Sequence, residues 1–233
     1  MKTIGLLGGM SWESTQEYYR IINREVNLRL GGLHSSRILI YSVDFHDVEI
    51  LQHKNDWQQL TELMIEGARR VQNGGADFLV IATNTMHKVA DEVEHSISIP
   101  LLRITDATAA VIKEDGFDRV GLLGTRFTME EDFYRRRLTE KHNIEVLIPD
   151  RADRDIVHRV IYDELCRGII RDDSKREFHR IIMDLSDKGA LGIILGCTEI
   201  SLLVEPGGTN IPLFDTTEIH ARRAVDWALE ADN

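Results

Sequence analysis

Cysteine is nearly absent: Cys166 and Cys197 are the only two in 233 residues. That is too few for a disulfide framework, and it leaves at least one thiol to be explained by its chemistry. Cationic residues are in the minority as well. Lys and Arg number 28 against 39 Asp and Glu, a formal charge of −11, so no positive surface is on offer to displace counterions from phosphates. This argues against a nucleic-acid partner. Apolar runs such as 78–82 (FLVIA) fall far short of the ~20 residues that span a bilayer. No membrane association is expected. The N-terminus, MKTIGLLGGMSWEST, lacks a signal-peptide core and a small-residue cleavage site, and a cytoplasmic location is expected. Gly5, Gly8 and Gly9 do not make GxGxxG, and there is no GxxxxGK[ST]; they read as a tight strand-to-loop turn. The nine histidines form no HExxH and the cysteines no CxxC, so neither a metal nor another cofactor is expected.

What is present is the composition of a folded protein, 42% hydrophobic and 29% charged. The length suits one large domain or two of roughly 115 residues. Internal similarity favours two. Residues 4–8 (IGLLG) recur as 120–124 (VGLLG), 79–82 (LVIA) as 193–196 (IILG), and 99–102 (IPLL) as 211–214 (IPLF). Three matches in the same order, at shifts near half the chain, imply two similar halves.

Short apolar strands alternate with amphipathic helices in each half. Helices are expected at 13–30, 57–74, 129–141, 152–167 and 173–188, and strands at 37–43 and 144–148. The fold class is therefore α/β: two similar lobes, each a four-stranded parallel sheet flanked by helices. The expected lobes are 1–113 and 114–216, with 112–119 as the crossover and a C-terminal helix, 217–233, packing back on the first lobe. Ligands of such sheets bind beyond the carboxyl ends of the strands.

Matched strand-end loops hold Thr83-Asn84-Thr85-Met86-His87 and Cys197-Thr198-Glu199. Each precedes an expected helix, 88–95 or 200–204, whose N-terminus favours anions and lowers a thiol's pKa. The competing reading of Cys197 is an inert core cysteine; for Cys166, inside an expected helix, that reading is preferred. His87 reads as a residue that orients a catalytic group or as a helix cap. The acidic run Glu130-Glu131-Asp132 reads as the first turn of a helix.

GLLGGM near the N-terminus, NTMH after the third strand, the second GLLG and the late GCTE together resemble the aspartate/glutamate racemase family over essentially the whole chain. The pattern is most similar to its bacterial broad-specificity amino-acid racemases. The resemblance implies a cofactor-independent isomerase, a homodimer, a small-molecule amino acid as substrate, with acidic ones among the candidates, and two cysteines facing each other across the substrate's Cα. Inverting a stereocentre by proton transfer does need a base on one face of the carbanion and an acid on the other. Here Thr83 stands at the first cysteine position, so Cys197 is the expected base and Thr83 the opposite-face acid. Asn84, Thr85, Thr125 and Thr198 are donors for the substrate carboxylate. Glu199 joins them as a binding residue, and Met10 and Gln52 shape the pocket from strand-end loops.

Acidic-substrate members carry an Arg after the second strand and a Lys on a later helix. Here those positions read Asp44-Phe45-His46 and Cys166, leaving Gln52, His46, His53 or Arg167 to meet a polar side chain. Two rivals follow: a cysteine-dependent isomerase or decarboxylase of the same superfamily, and a non-catalytic two-lobed amino-acid-binding protein.

Overall fold

The computed structural model describes residues 1–204 and 209–230. Strands β1 (Ile4–Gly8), β2 (Ile38–Ser42), β3 (Phe78–Ile81) and β4 (Leu101–Leu102) form one parallel sheet in the order β2-β1-β3-β4. A second holds β5 (Arg119–Gly124), β6 (Glu145–Leu147), β7 (Ile193–Gly196) and β8 (Leu213–Asp215) in the order β6-β5-β7-β8. The order is the same in both, and the strands of the sequence repeat occupy matching places. Gly8 pairs with Ser42 at the carboxyl end of β1, and Gly124 with Gly196 at that of β5.

Connecting helices are those of a parallel α/β fold. In the first half they are α1 (Trp12–Leu30), α2 (Phe45–His53), α3 (Trp57–Asn73) and α4 (Ala90–His95). Next come α5 (Ile104–Glu114), α6 (Arg126–Glu130), α7 (Asp132–His142), α8 (Arg151–Asp163), α9 (Asp172–Asp187), α10 (Ile200–Leu203) and α11 (Thr216–Leu229). Helix α3 shows why they form. Asp56 caps it by accepting from the Gln59 N–H, and Leu60, Met64, Ala68 and Val71 make one buried stripe at helical spacing. Among the described residues no helix is long and apolar enough to cross a membrane.

Three expected helices are interrupted. The segment 129–141 breaks at Glu131, whose backbone is extended (φ −83°, ψ 150°). A continuous helix would place Tyr134 about 140° around the axis from Met129, yet both are buried; the break resets the phase. Only Asp132 of the acidic run therefore lies in a first turn, that of α7, while Glu130 closes α6 and pairs with Arg154. The segment 152–167 ends as α-helix at Asp163, and a 3-10 turn, Leu165–Arg167, closes on the left-handed Gly168 (φ 70°). A 3-10 turn, Thr85–Val89, likewise precedes α4.

The chain divides into two compact units, Met1–Ile104 with the residues from His220 onward, and Thr105–Ile219. Within the first, Leu7, Leu79 and Ile81 face a core shared with α3, while Ile4, Leu6, Phe78 and Val80 face α1 and the Ala221, Ala224, Val225 and Ala228 stripe of α11. Residues 231–233, included in the expected C-terminal helix, lie outside the described residues. The division after Ile104 places α5 almost wholly with the second unit, where Asp106 accepts from Arg137, Lys141 and His142 of α7. These bonds overcome its burial and hold its carboxyl well below the usual carboxylate range. The segment 112–119 thus joins α5 to β5 inside one unit rather than crossing between two.

Candidate active site

In the first unit the carboxyl end of β1 runs into Gly9, which adopts φ +92° and donates its N–H to Thr15 Oγ1 at 2.8 Å. A Cβ on Gly8 would lie 2.5 Å from the same oxygen, so both glycines serve the close turn into α1. Ser11 caps α1 by accepting from the Ser14 N–H, and Ser14 Oγ donates to the Ala82 carbonyl at 3.3 Å. This ties the start of α1 to the residue before Thr83.

Thr83 follows at half-burial, then Asn84, Thr85, Met86 and His87, all buried. Met10 and Met86 share an apolar cluster with Val48. Gln52 is buried beside them, its Nε2 donating to Met86 Sδ at 3.6 Å. It projects from α2 and not from a strand-end loop as expected. Of the residues named for a polar substrate side chain, His46 and His53 on α2 are exposed, and His53 pairs with Glu49.

The second unit repeats the plan with different groups. Thr125, at the end of β5, caps α6 through Thr128, as Ser11 caps α1. Gly196 ends β7 where a Cβ would come within 2.8 Å of the Leu123 carbonyl oxygen, and a turn carries Cys197, Thr198 and Glu199 into α10. The Ile200 N–H meets the Cys197 carbonyl at 3.1 Å, and Ser201 Oγ donates to the Thr198 carbonyl at 2.7 Å.

Cys197 Sγ donates to Glu199 Oε2 at 3.0 Å. The expectation of an acidified thiol is reversed here. Burial first, then the negative charge of Glu199 and the nearby Cys166, push the Cys197 thiol well above its ordinary value. Helix α10 is a single turn of four residues, and its end charge is outweighed by a carboxylate in direct contact with the sulfur. Cys166 departs from expectation too. It sits half-buried in the 3-10 turn Leu165–Arg167 rather than inside a helix. Arg167 beside it is exposed.

Each sequence-designated residue thus lies at the carboxyl end of its own sheet. Thr83, Asn84, Thr85, Met10 and Gln52 belong to the first unit, and Thr125, Cys197, Thr198 and Glu199 to the second. Sequence reasoning missed the hydroxyls that hold these loops, Ser14, Thr15, Thr128 and Ser201. The repeated hydroxyl-x-x-hydroxyl spacing of Ser11/Ser14 and Thr125/Thr128 was the available signal. It also missed Asp215, whose carboxyl burial raises while the Thr217 and Glu218 N–H groups and the Ser201 side chain hold its charged form. Among the described residues, no group of three His, Cys, Asp or Glu side chains is arranged to hold a metal ion.

The family model for Asp/Glu/hydantoin racemases matches residues 7–224. A crystal structure of a candidate Asp/Glu racemase from Yersinia pestis is 56% identical, covering 99% of this chain and 100% of that one at a TM-score of 0.94. An aspartate racemase homologue from Pyrococcus horikoshii OT3 is 34% identical, with coverage of 99% and 100% and a TM-score of 0.85. The broad-specificity amino-acid racemase RacX of Bacillus subtilis (strain 168) is 23% identical over 97% of this chain and 98% of its own. These relatives support an isomerase acting on amino acids.

Proposed function

Because the chain belongs to the Asp/Glu/hydantoin racemase family, we propose that it inverts Cα of a free amino acid by two-base proton transfer, with Cys197 as base and Thr83 as opposite-face acid. The observation that carries this reading is the 3.0 Å contact from Cys197 Sγ to Glu199 Oε2. A thiol held protonated by burial and a neighbouring charge is a poor base at rest. Glu199 is placed to accept its proton, and the ammonium group of an arriving amino acid favours the thiolate that results. The thiolate takes the α-proton, and the carbanion is protonated on its other face.

Thr83 suits donation and not abstraction, since an alcohol is a far weaker acid than a thiol and its alkoxide is costly to form. Negative charge building on the substrate carboxylate needs donors. Asn84, Thr85, Thr125 and Thr198 supply hydroxyl and amide groups for it without metal or pyridoxal phosphate. Met10 and Gln52 shape the side-chain pocket. The homodimer and the cytoplasmic location implied by the resemblance and the sequence belong to the same reading.

A second reading draws on the protonated thiol: Cys197 delivers its proton to a carbanion left by decarboxylation, as in the superfamily's decarboxylases. One experiment separates these readings. A panel of L- and D-amino acids in deuterated water is followed by NMR for α-proton loss and by chiral chromatography for inversion. Loss with inversion, unchanged after dialysis against a chelator, is the expected result. Release of carbon dioxide supports the second reading, and binding with an intact Cα–H bond overturns both.

A further inference from the structure

The Thr83 carbonyl is held in an unusual way. In a helix it would accept from the backbone N–H of residue 87. That N–H instead goes to Asn84 O at 3.1 Å, in 3-10 fashion, and the carbonyl meets the His87 ring, Nδ1 lying 2.8 Å from Thr83 O. The other ring nitrogen is also engaged, since the Ile104 N–H donates to His87 Nε2 at 3.1 Å. An N–H needs a lone pair to meet, so Nε2 is bare and the proton is on Nδ1, pointing at Thr83. The imidazole is neutral, buried, and fixed in one tautomer.

A second ring supports the first. His220 lies edge-on to His87, centroids 5.9 Å apart at 67°. Its Nε2 faces Leu102 O at 3.0 Å and its Nδ1 the Tyr18 hydroxyl at 2.8 Å. A carbonyl only accepts, so Nε2 carries the hydrogen and Nδ1 takes the one from Tyr18. Two neutral imidazoles in series thus connect the loop after β3 to the main chain at the end of β4 and the start of α5.

The carbonyl that His87 holds belongs to the residue whose hydroxyl is read as the acid. Threonine is β-branched and stiff at χ1, so fixing its backbone aims its Oγ1. With both nitrogens turned to the main chain, His87 is arranged to orient and not to exchange protons with substrate. We propose that His87 is a positioning residue for the Thr83 half-reaction, acting as a neutral Nδ1–H donor to the Thr83 carbonyl; this rests on the reading of Thr83 as proton donor.

The test uses how the carbanion is quenched. In deuterated water, starting from the enantiomer that Cys197 deprotonates, a well-aimed Thr83 yields inversion. A misaimed one leaves Cys197 to return deuterium to the same face, which gives exchange with retention. His87→Leu should raise the exchange-to-inversion ratio several-fold and leave KM within about twofold, whereas general loss of structure lowers exchange and inversion together. His87→Asn, whose amide can stand where Nδ1 stood, should keep the ratio near wild type; His87→Gln, whose amide stands nearer Nε2, should raise it. The Asn and Gln pair keeps the test decisive if the Leu variant does not fold. Added to Thr83→Ala, which by itself should raise the ratio, His87→Leu should change it no further. Equal loss of exchange and inversion, or a full additional effect on top of Thr83→Ala, overturns the proposal. If Thr83→Ala leaves the ratio unchanged, the donor reading itself falls and this one with it, an outcome distinct from the other two.

Discussion

The ends of β3 and β7 occupy matching places in matching sheets, yet they are finished in different ways. At β7 a thiol is followed two residues later by a carboxylate that touches it, and the cysteine carbonyl is capped by a backbone N–H. At β3 a hydroxyl takes the thiol's place, and its carbonyl is held by a neutral imidazole. In the proposed function the β7 end would move a proton on and off sulfur, which calls for an adjacent charge. The β3 end would aim a group that keeps its proton until it is needed, and for this orientation suffices. In the proposed reaction a duplicated backbone would carry unequal halves, with the inequality written in the groups two residues beyond Cys197 and four beyond Thr83.

Several substitutions probe that inequality. Removing the thiol should have the largest effect: Cys197→Ala should lower kcat by roughly 10³-fold in both directions, within the range for loss of a catalytic base. Circular dichroism should show an intact fold, and turnover within tenfold of wild type would assign the base elsewhere. Next, Glu199→Gln should lower kcat by roughly 10- to 100-fold at neutral pH, because the proton acceptor is gone. It should also shift the alkaline-rising limb of kcat/KM to lower pH, since the charge that raises the thiol has been neutralised. A limb that stays in place would separate Glu199 from the thiol's ionisation.

Thr83 variants address the other side. Wild type should show unequal kcat values from the two enantiomers. Equal free energies in water require equal kcat/KM, so the slower direction must have the lower KM. Thr83→Cys should bring the two kcat values together, and Thr83→Ala should lower both by roughly tenfold. Initial rates from both enantiomers at saturation decide it. Equal wild-type values combined with an inert Thr83→Ala would make water or another side chain the donor.

The smallest effect on turnover, but a clear one on stability, should come from His220. Burial pushes its pKa down from 6.5 to about 4, so the folded state favours the neutral ring. The associated stability is complete above pH 6.5 and is lost as pH falls toward 4, up to about 3 kcal/mol. Urea midpoints of wild type and His220→Gln at pH 7 and pH 5 measure this. The variant should lose less between the two, and parallel losses would show that His220 does not set the acid sensitivity.

Much of this was legible from sequence, because the readable parts depend on local pattern. IGLLG and VGLLG announced two equivalent central strands, and the alternation with helical stripes announced parallel sheets. Thr83 and Cys197 could be matched through the same repeat. What escaped depends on contacts that no spacing reveals. The break at Glu131 comes from burying both Met129 and Tyr134, and α5 stands with the second unit, where Arg137, Lys141 and His142 gather on Asp106. The direction of the Cys197 shift was misjudged because a helix N-terminus was visible in the sequence, while the desolvation and the Glu199 contact that outweigh it were not. Gln52, expected to shape the pocket from a strand-end loop, stands on α2 with its Nε2 on Met86, a placement set by packing.

The return of α11 to the first sheet has a consequence for synthesis. Ile4 and Leu6 leave the ribosome before the second unit, but Ala221, Ala224, Val225 and Ala228, which cover the same face, are made after it. The whole second unit, Thr105–Ile219, is translated in between. At roughly 5–20 residues per second that interval lasts on the order of 6–23 s. The earlier-made unit waits through it with all four strands made but one apolar face incompletely covered, while the later-made one is finished at Ile219, before the rest of α11 appears. The nascent chain completes its units in the reverse of the order in which it starts them, and the exposed face is where a chaperone or a misplaced neighbour would find it.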